Sequence, residues 1–224
     1  MNRIILTFFA TVMNMIIVSS SLAAFTLSGT RFIYDEGRKN ITLEVSNANK
    51  DTFGGQIWVD NTTQTISEVF FTPAPSFFKI GGGEKQIIRI LNVNPELPKD
   101  RESLFWLNVQ EIPPSPTEGE NVLAIALNTQ VKLFYRPKQL KDGRSAAEQN
   151  LVVRGSLLKN PTPYYFAITS IKVNGKEIKV NHELDKRLSQ MSPFSEIDIG
   201  RTLSGTVSVE AIDDYGARRE YTLK

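Results

Sequence analysis

No cysteine occurs among the 224 residues of the chain, so no disulfide supports the fold and every thiolate-based metal or redox site is excluded. There is one histidine, His182, in Asn181-His182-Glu183-Leu184-Asp185, which leaves no second imidazole to choose from for a nucleophilic triad. As a metal ligand it needs partners from Glu183 or Asp185, and the segment reads as a loop. An excess of charge of one sign is missing too. The net charge is +2, with 26 basic and 24 acidic residues well mixed, too little for a nucleic-acid footprint. Asp213-Asp214 is a poor carboxylate pair for glycoside hydrolysis, because neighbours on a strand point to opposite faces and cannot flank one bond. Gly81-Gly82-Gly83-Glu84-Lys85 lacks the spacing of a phosphate-binding loop and reads as a hairpin turn. These absences argue against an enzyme and give no reason to expect a cofactor or a metal.

What is present begins with a leader. Met1-Asn2-Arg3 is short and positive, Ile4 to Val18 is apolar, and Ser19-Ser20-Ser21-Leu22-Ala23-Ala24 is small or polar, the three parts of a secretory signal peptide. Ser21 and Ala23 suit the positions a signal peptidase reads, so cleavage is expected after Ala23. The apolar run is shorter than the roughly 20 residues of a spanning helix, and Asn14 interrupts it. Export is therefore the better reading than a membrane anchor. The remaining residues, with net charge +1 once Arg3 leaves, are enough for one large or two small domains stabilised by packing alone.

Helical periodicity is scarce and strand-like runs are plentiful: Arg31–Tyr34, Ile41–Val45, Gln56–Val59, Val69–Phe71, Gln86–Leu91, Leu104–Val109 and Val122–Tyr135. Ile41, Leu43 and Val45 alternate with Thr42 and Glu44, the pattern of a half-buried strand. About seven short strands separated by turn clusters predict an immunoglobulin-like sandwich. After Arg136-Pro137, the polar stretch Lys138–Gln149 reads as a linker. Strands resume at Leu151–Leu158, Phe166–Val173, Ile178–Val180 and Thr206–Ile212, with a hairpin signal at Asn174-Gly175. The expected architecture is all-β, with a signal peptide over 1–23, a first sandwich over 24–140 and a second, smaller one over 141–224.

One run is unusual. Asn121–Tyr135 is about twice the ordinary strand length. Leu123, Ile125 and Leu127 alternate with the smaller Val122, Ala124 and Ala126, and Pro113, Pro114 and Pro116 ahead of the run cannot donate to a ladder. A long apolar strand at a free edge is a template for another chain, and leaving it free suits strand addition to a partner. The same pattern also fits a central strand inside its own sandwich. Pattern alone leaves both open.

The stretch Leu97-Pro98-Lys99-Asp100-Arg101-Glu102-Ser103-Leu104-Phe105-Trp106-Leu107-Asn108-Val109-Gln110-Glu111-Ile112-Pro113-Pro114 resembles the signature of the periplasmic pilus (fimbrial) assembly chaperones of the chaperone/usher pathway, the PapD-like family. Asn121–Leu127, Val131–Pro137, Asn160-Pro161-Thr162-Pro163-Tyr164 and Ile212-Asp213-Asp214-Tyr215-Gly216 resemble further motifs of that family, in order and with compatible spacing. The likeness runs from about Ala24 to Gly216, and the short Pro113–Glu120 loop resembles the short-loop branch.

The resemblance implies two sandwich domains set at an angle around a cleft. It also implies a mechanism in which the chaperone completes an unfinished subunit by donor-strand complementation and delivers it to an outer-membrane usher. On this reading Leu123, Ile125 and Leu127 enter the groove of a pilin or adhesin subunit. Arg31 and Lys132 hold its C-terminal carboxylate, and Glu102, Arg136 and Asp214 form a salt-bridge triad across the domains. Strict alternation puts Lys132 on the opposite face from the donor residues, which calls for a bulge or for twist. The resemblance further implies a cis bond at Thr72-Pro73, and the free edge strand makes self-association plausible. The competing function is an exported carbohydrate-binding or adhesive module, which requires a platform of exposed aromatics.

Overall fold

The computed structural model describes residues 24–62, 68–115 and 124–223. The leader, Leu123 with the start of the apolar run, and the end of the loop before it lie outside the described residues. The first half of the chain forms nine strands. They are β1 (Phe25–Leu27), β2 (Arg31–Asp35), β3 (Ile41–Asn47), β4 (Phe53–Asn61), β5 (Phe71–Ala74), β6 (Phe77–Ile80), β7 (Lys85–Asn92), β8 (Ser103–Ile112) and β9 (Asn128–Arg136). One sheet has the order β1-β3-β7-β5 and the other the order β2-β9-β8-β4-β6. Alternation decides which residues face inward. Leu43 and Val45 on β3, Ile88 and Ile90 on β7, and Leu107 and Val109 on β8 are all buried between the sheets. All pairings are antiparallel except β2 with β9, which run parallel.

Among the described residues the second half is also mainly β, with one α-helix and two short 3-10 helices, Lys138–Leu140 and Ala147–Asn150. It contains β10 (Val152–Arg154), β11 (Leu157–Lys159), β12 (Ile168–Val173), β13 (Lys176–Glu177), α1 (His182–Leu188), β14 (Glu196–Asp198), β15 (Val207–Ile212) and β16 (Arg218–Thr222). Its sheets, β10-β11-β14 and β13-β12-β15-β16, enclose a separate core that includes Leu158, Phe166, Ile171 and Val209. Asn174 and Gly175 both take positive φ, 51° and 75°, and join β12 to β13 as the dipeptide predicts.

Four local expectations need correcting. Gly81-Gly82-Gly83 is not a hairpin turn. β6 belongs to one sheet and β7 to the other, so the glycines carry the chain across the sandwich. A Cβ on Gly82 would sit 2.1 Å from the Lys50 carbonyl oxygen, which only glycine avoids. His182 is not in a loop. Asn181 caps α1 by accepting a hydrogen bond from Leu184 N at 2.8 Å, with acids in the first turn and Lys186 and Arg187 in the last, as the helix dipole favours. The cis proline bond is Ala74-Pro75 rather than Thr72-Pro73. Thr72 and Pro73 lie inside the β5–β7 ladder, where extended trans backbone continues the strand, and the chain reverses only beyond it. The long strand starts at Asn128 instead of Val122. Its antiparallel partner β8 ends at Ile112, just before two prolines, so residues 124–127 have almost no ladder to join.

Candidate functional site

β9 has two faces. Val131, Leu133 and Tyr135 pack into the first core, while Lys132, Phe134 and Arg136 alternate with them and turn toward the second sandwich. Its register with β8 runs unbroken from Asn128 to Tyr135. No bulge is needed to aim Lys132 at the cleft, since the opposite face is the cleft face. Phe134 meets the Tyr165 ring at 6.1 Å.

The parallel pairing sets Arg31 of β2 directly beside Lys132 of β9. Arg31 Nη1 donates to the Ile212 carbonyl at 2.9 Å, and Lys132 Nζ donates to the Ser189 carbonyl at the end of α1. Arg31 Nε is buried without a hydrogen-bond partner. Burial, and after it the charge of Arg31, lowers the pKa of Lys132 to about 8. Arg31 is lowered as well, chiefly by burial. Two like charges thus lie side by side, half-buried, and neither forms an ion pair among the described residues. This arrangement is ready for an anion, because a carboxylate accepts charge-assisted hydrogen bonds from both cations at once.

A few residues away the charges are fully matched. Arg136 Nε donates to Glu102 Oε1 at 2.7 Å, and its two terminal nitrogens donate to Asp214 at 2.7 and 3.1 Å. Glu102 Oε2 accepts from Tyr165 N at 2.8 Å. That amide is presented by the turn Asn160-Pro161-Thr162-Pro163. There Asn160 is buried and bonds the Tyr164 and Ser192 carbonyls, both at 2.8 Å. Burial pushes the Glu102 carboxyl up while Arg136 pulls it down. Burial works to lower Arg136, but its bonds to Asp214 and Glu102 outweigh this and hold it charged. The structure therefore brings Glu102, Arg136 and Asp214 together across the two halves. Asp213 instead receives Arg219 at 2.7 Å, so the adjacent acids point to separate partners.

Sequence reasoning missed two members of this network. Arg144 bonds Glu148 at 2.8 and 3.1 Å and approaches Asp214 at 3.4 Å. Both belong to the stretch expected to be a polar linker, yet Glu148 is wholly buried. Their i, i+4 spacing was the available signal. A cleft of about 940 Å³ adjoins the network and is lined by Ile33, Asp35, Arg136, Arg144, Asp214 and Tyr221.

Of the three donor residues, Leu123 lies outside the described residues. Ile125 is 55% exposed, and Leu127 is half-buried, its carbonyl accepting from Glu111 N at 2.8 Å. Both carry the parity of Leu133, so they prolong the core-facing side of β9. The exposed rings Phe77, Phe194 and Tyr215 sit on separate elements and pair with no ring of one another, so no aromatic platform is present among the described residues.

Comparison with known proteins settles the family. Residues 24–141 match the model of the pili and flagellar-assembly chaperone PapD N-terminal domain, and residues 146–223 match that of the pili assembly chaperone PapD C-terminal domain. The chain belongs to the pilus-assembly chaperones. It is 46% identical over 207 residues to the chaperone protein FanE of Escherichia coli, covering 90% of this chain and 91% of that one. The crystal structure of the periplasmic chaperone SfaE superposes with a TM-score of 0.73 at 30% identity, over 89% of this chain and 98% of that chain. The SafB chaperone of Salmonella enterica, solved in complex with the SafA pilin, gives a TM-score of 0.72 at 27% identity, over 91% and 97%. The two sandwiches described above are the two immunoglobulin-like domains of this chaperone family.

The network generates one prediction. Arg136→Ala leaves Glu102 buried and without its cation, which costs roughly 3–5 kcal/mol. Urea unfolding is expected to show that loss, and a change below about 1 kcal/mol, the value of a solvated pair, would mean the network is not insulated from water.

Proposed function

We propose that this chaperone is exported with cleavage after Ala23 and works in the periplasm. There it captures incomplete pilin or adhesin subunits by donor-strand complementation and passes them to an outer-membrane usher. The observation that carries this reading is the Arg31–Lys132 pair, two half-buried cations in register with no ion-pair partner among the described residues, on a strand preceded by the apolar and barely paired residues 124–127. The pair grips the subunit's C-terminal carboxylate. Leu123, Ile125 and Leu127 then fill the subunit's groove while main-chain hydrogen bonds zip the two edges together.

The energetics need no nucleotide. Each buried aliphatic side chain contributes roughly 1.5–3 kcal/mol, before the ordering costs of association are subtracted. The anchor sets the register, since a one-residue slip would turn the apolar set away from the groove. Glu102, Arg136 and Asp214 fix the angle between the domains and so the width of the cleft. Free in solution, the exposed edge also invites self-association.

Arg31→Ala combined with Lys132→Ala is expected to abolish co-purification with pilin subunits from the periplasm while the protein stays folded. Unchanged recovery of subunits would remove the anchor from the mechanism. Ile125→Asp is expected to weaken capture with a stability change within about 0.5 kcal/mol, the usual range for an exposed site. A large drop in melting temperature would instead make the segment part of the chaperone's own core.

The anchor also has a pH signature. Lys132 must be protonated to hold a carboxylate, and in the free protein it loses its proton near pH 8. Affinity for a subunit is therefore expected to be flat below about pH 7 and to fall by up to tenfold per pH unit above 8. Folding stability moves the other way. The unfolded lysine keeps its proton to higher pH, so between pH 8 and 10.5 the cost of burying the charge is progressively relieved. Titration calorimetry from pH 6 to 9.5 measures the first effect, and an affinity independent of pH would exclude Lys132 as a ligand.

A further inference from the structure

Glu111 is a buried acid that the function above does not use. It lies on the face of β8 that carries Phe105, Leu107 and Val109 into the core, so its carboxylate points between the sheets, and it is 2% exposed. Glu102 and Glu148, the other buried acids, each meet an arginine. Glu111 has no cationic side chain within ion-pair distance among the described residues. Its one hydrogen-bond donor among the described residues is the Phe25 amide, which reaches Oε1 at 2.7 Å from the opposite sheet. An ionised carboxylate taken out of water needs a matched charge as well as a hydrogen bond.

The residue before Phe25 is Ala24. It is 1% exposed, and its carbonyl accepts from Ala48 N at 2.7 Å, so the start of β1 is pinned at the same end of the core. Phe25 closes that end by packing on Phe53 at 6.2 Å and on Phe78 at 5.9 Å. The Ala24 nitrogen is thus one peptide unit from the amide that Glu111 already holds.

We infer that Glu111 is the binding site for the chain's own mature N-terminus, an ion pair between its carboxylate and the α-ammonium of Ala24. Before processing, the Ala24 nitrogen is a neutral amide with a single N–H. Hydrolysis of the Ala23–Ala24 bond adds one water, leaving a carboxylate on Ala23 and a protonated amine on Ala24. Removal of the leader therefore creates the missing cation beside the unmatched anion, where the low dielectric strengthens the attraction. The same continuous segment leads through β1 to Arg31, so processing secures the strand that carries half of the anchor. This rests on cleavage after Ala23, which the first measurement below tests separately.

N-terminal sequencing of protein purified from the periplasm is expected to start at Ala24, and any other start overturns the inference through its premise. The pairing itself is tested by a thermal cycle of four mature proteins. They are the native chain, Glu111→Gln, a chain with one extra glycine before Ala24, and the combination of the two changes. Each single change is expected to lower the melting temperature by about 5 °C, and the combination is expected to lower it no further than either alone, as coupled sites behave. Additive losses, or an extension with no effect, mean that Glu111 serves the Phe25 amide alone and overturn the pairing. Should Glu111→Gln fail to fold, acylation of the α-amine at pH 7 decides between the native and extended chains. Labelling about tenfold slower in the native chain supports the pair, and equal rates overturn it.

Discussion

The guanidinium of Arg136 is gripped from both sides, by Glu102 at 2.7 Å and by Asp214 at 2.7 and 3.1 Å, and that grip ties the two domains together beside the cleft. A guanidinium presents several donors in a rigid plane, so two carboxylates bonded to its different edges are fixed in direction as well as in distance. Arg144 and Glu148 extend the arrangement from the segment between the domains. Such networks add less to stability than their short distances suggest, because desolvation offsets most of the attraction. In the proposed mechanism their effect is geometric. The Ile212 carbonyl that receives Arg31 lies two residues before Asp214, so the network that holds the domains together also places a neighbour of the anchor.

β9 concentrates three tasks through plain alternation. Its even positions, Lys132, Phe134 and Arg136, address the second domain, and its odd positions build the first core. Continued backward, the odd positions reach Leu127 and Ile125 and leave the sandwich. In the proposed complex the partner groove becomes an extension of the chaperone's own hydrophobic core, interrupted only where one chain ends and the other begins. The opposite parity of Lys132 and the donor residues, a difficulty in the sequence, is a requirement of this geometry. The anchor must face the cleft while the donor side chains face the groove.

Much of this could be read before any coordinates. The alternation in Ile41–Val45 and the turn at Asn174-Gly175 are local signals, and local physics decided them. The triad of Glu102, Arg136 and Asp214 was legible only through resemblance to a family, since nothing in the spacing of three distant charges says that they meet. What was missed has identifiable causes. α1 is two turns long, too short for periodicity to emerge, although Asn181 and the acids after it are a helix start. β14 and β16 carry few apolar residues because they lie at the edges of their sheets. The glycines at 81–83 show that the chain turns, but which sheet receives the next strand is a tertiary choice. The late start of the long strand reflects a missing neighbour rather than its own composition.

In the proposed mechanism, the free state of the anchor makes capture selective. Holding Lys132 and Arg31 adjacent and half-buried is unfavourable, as the pKa of about 8 for Lys132 records, and carbonyl oxygens relieve it only in part. In the proposed complex an incoming carboxylate offsets the repulsion and supplies hydrogen bonds in place of the water that both cations have lost. A neutral group would not offset the repulsion. Discrimination thus comes from a cost already present in the unliganded protein, and it acts before the apolar strand engages. In that proposed order the charge pair would select a chain terminus and fix its register, and the nonspecific attraction of Ile125 and Leu127 for any apolar surface would become specific because it could act only on a partner already in place.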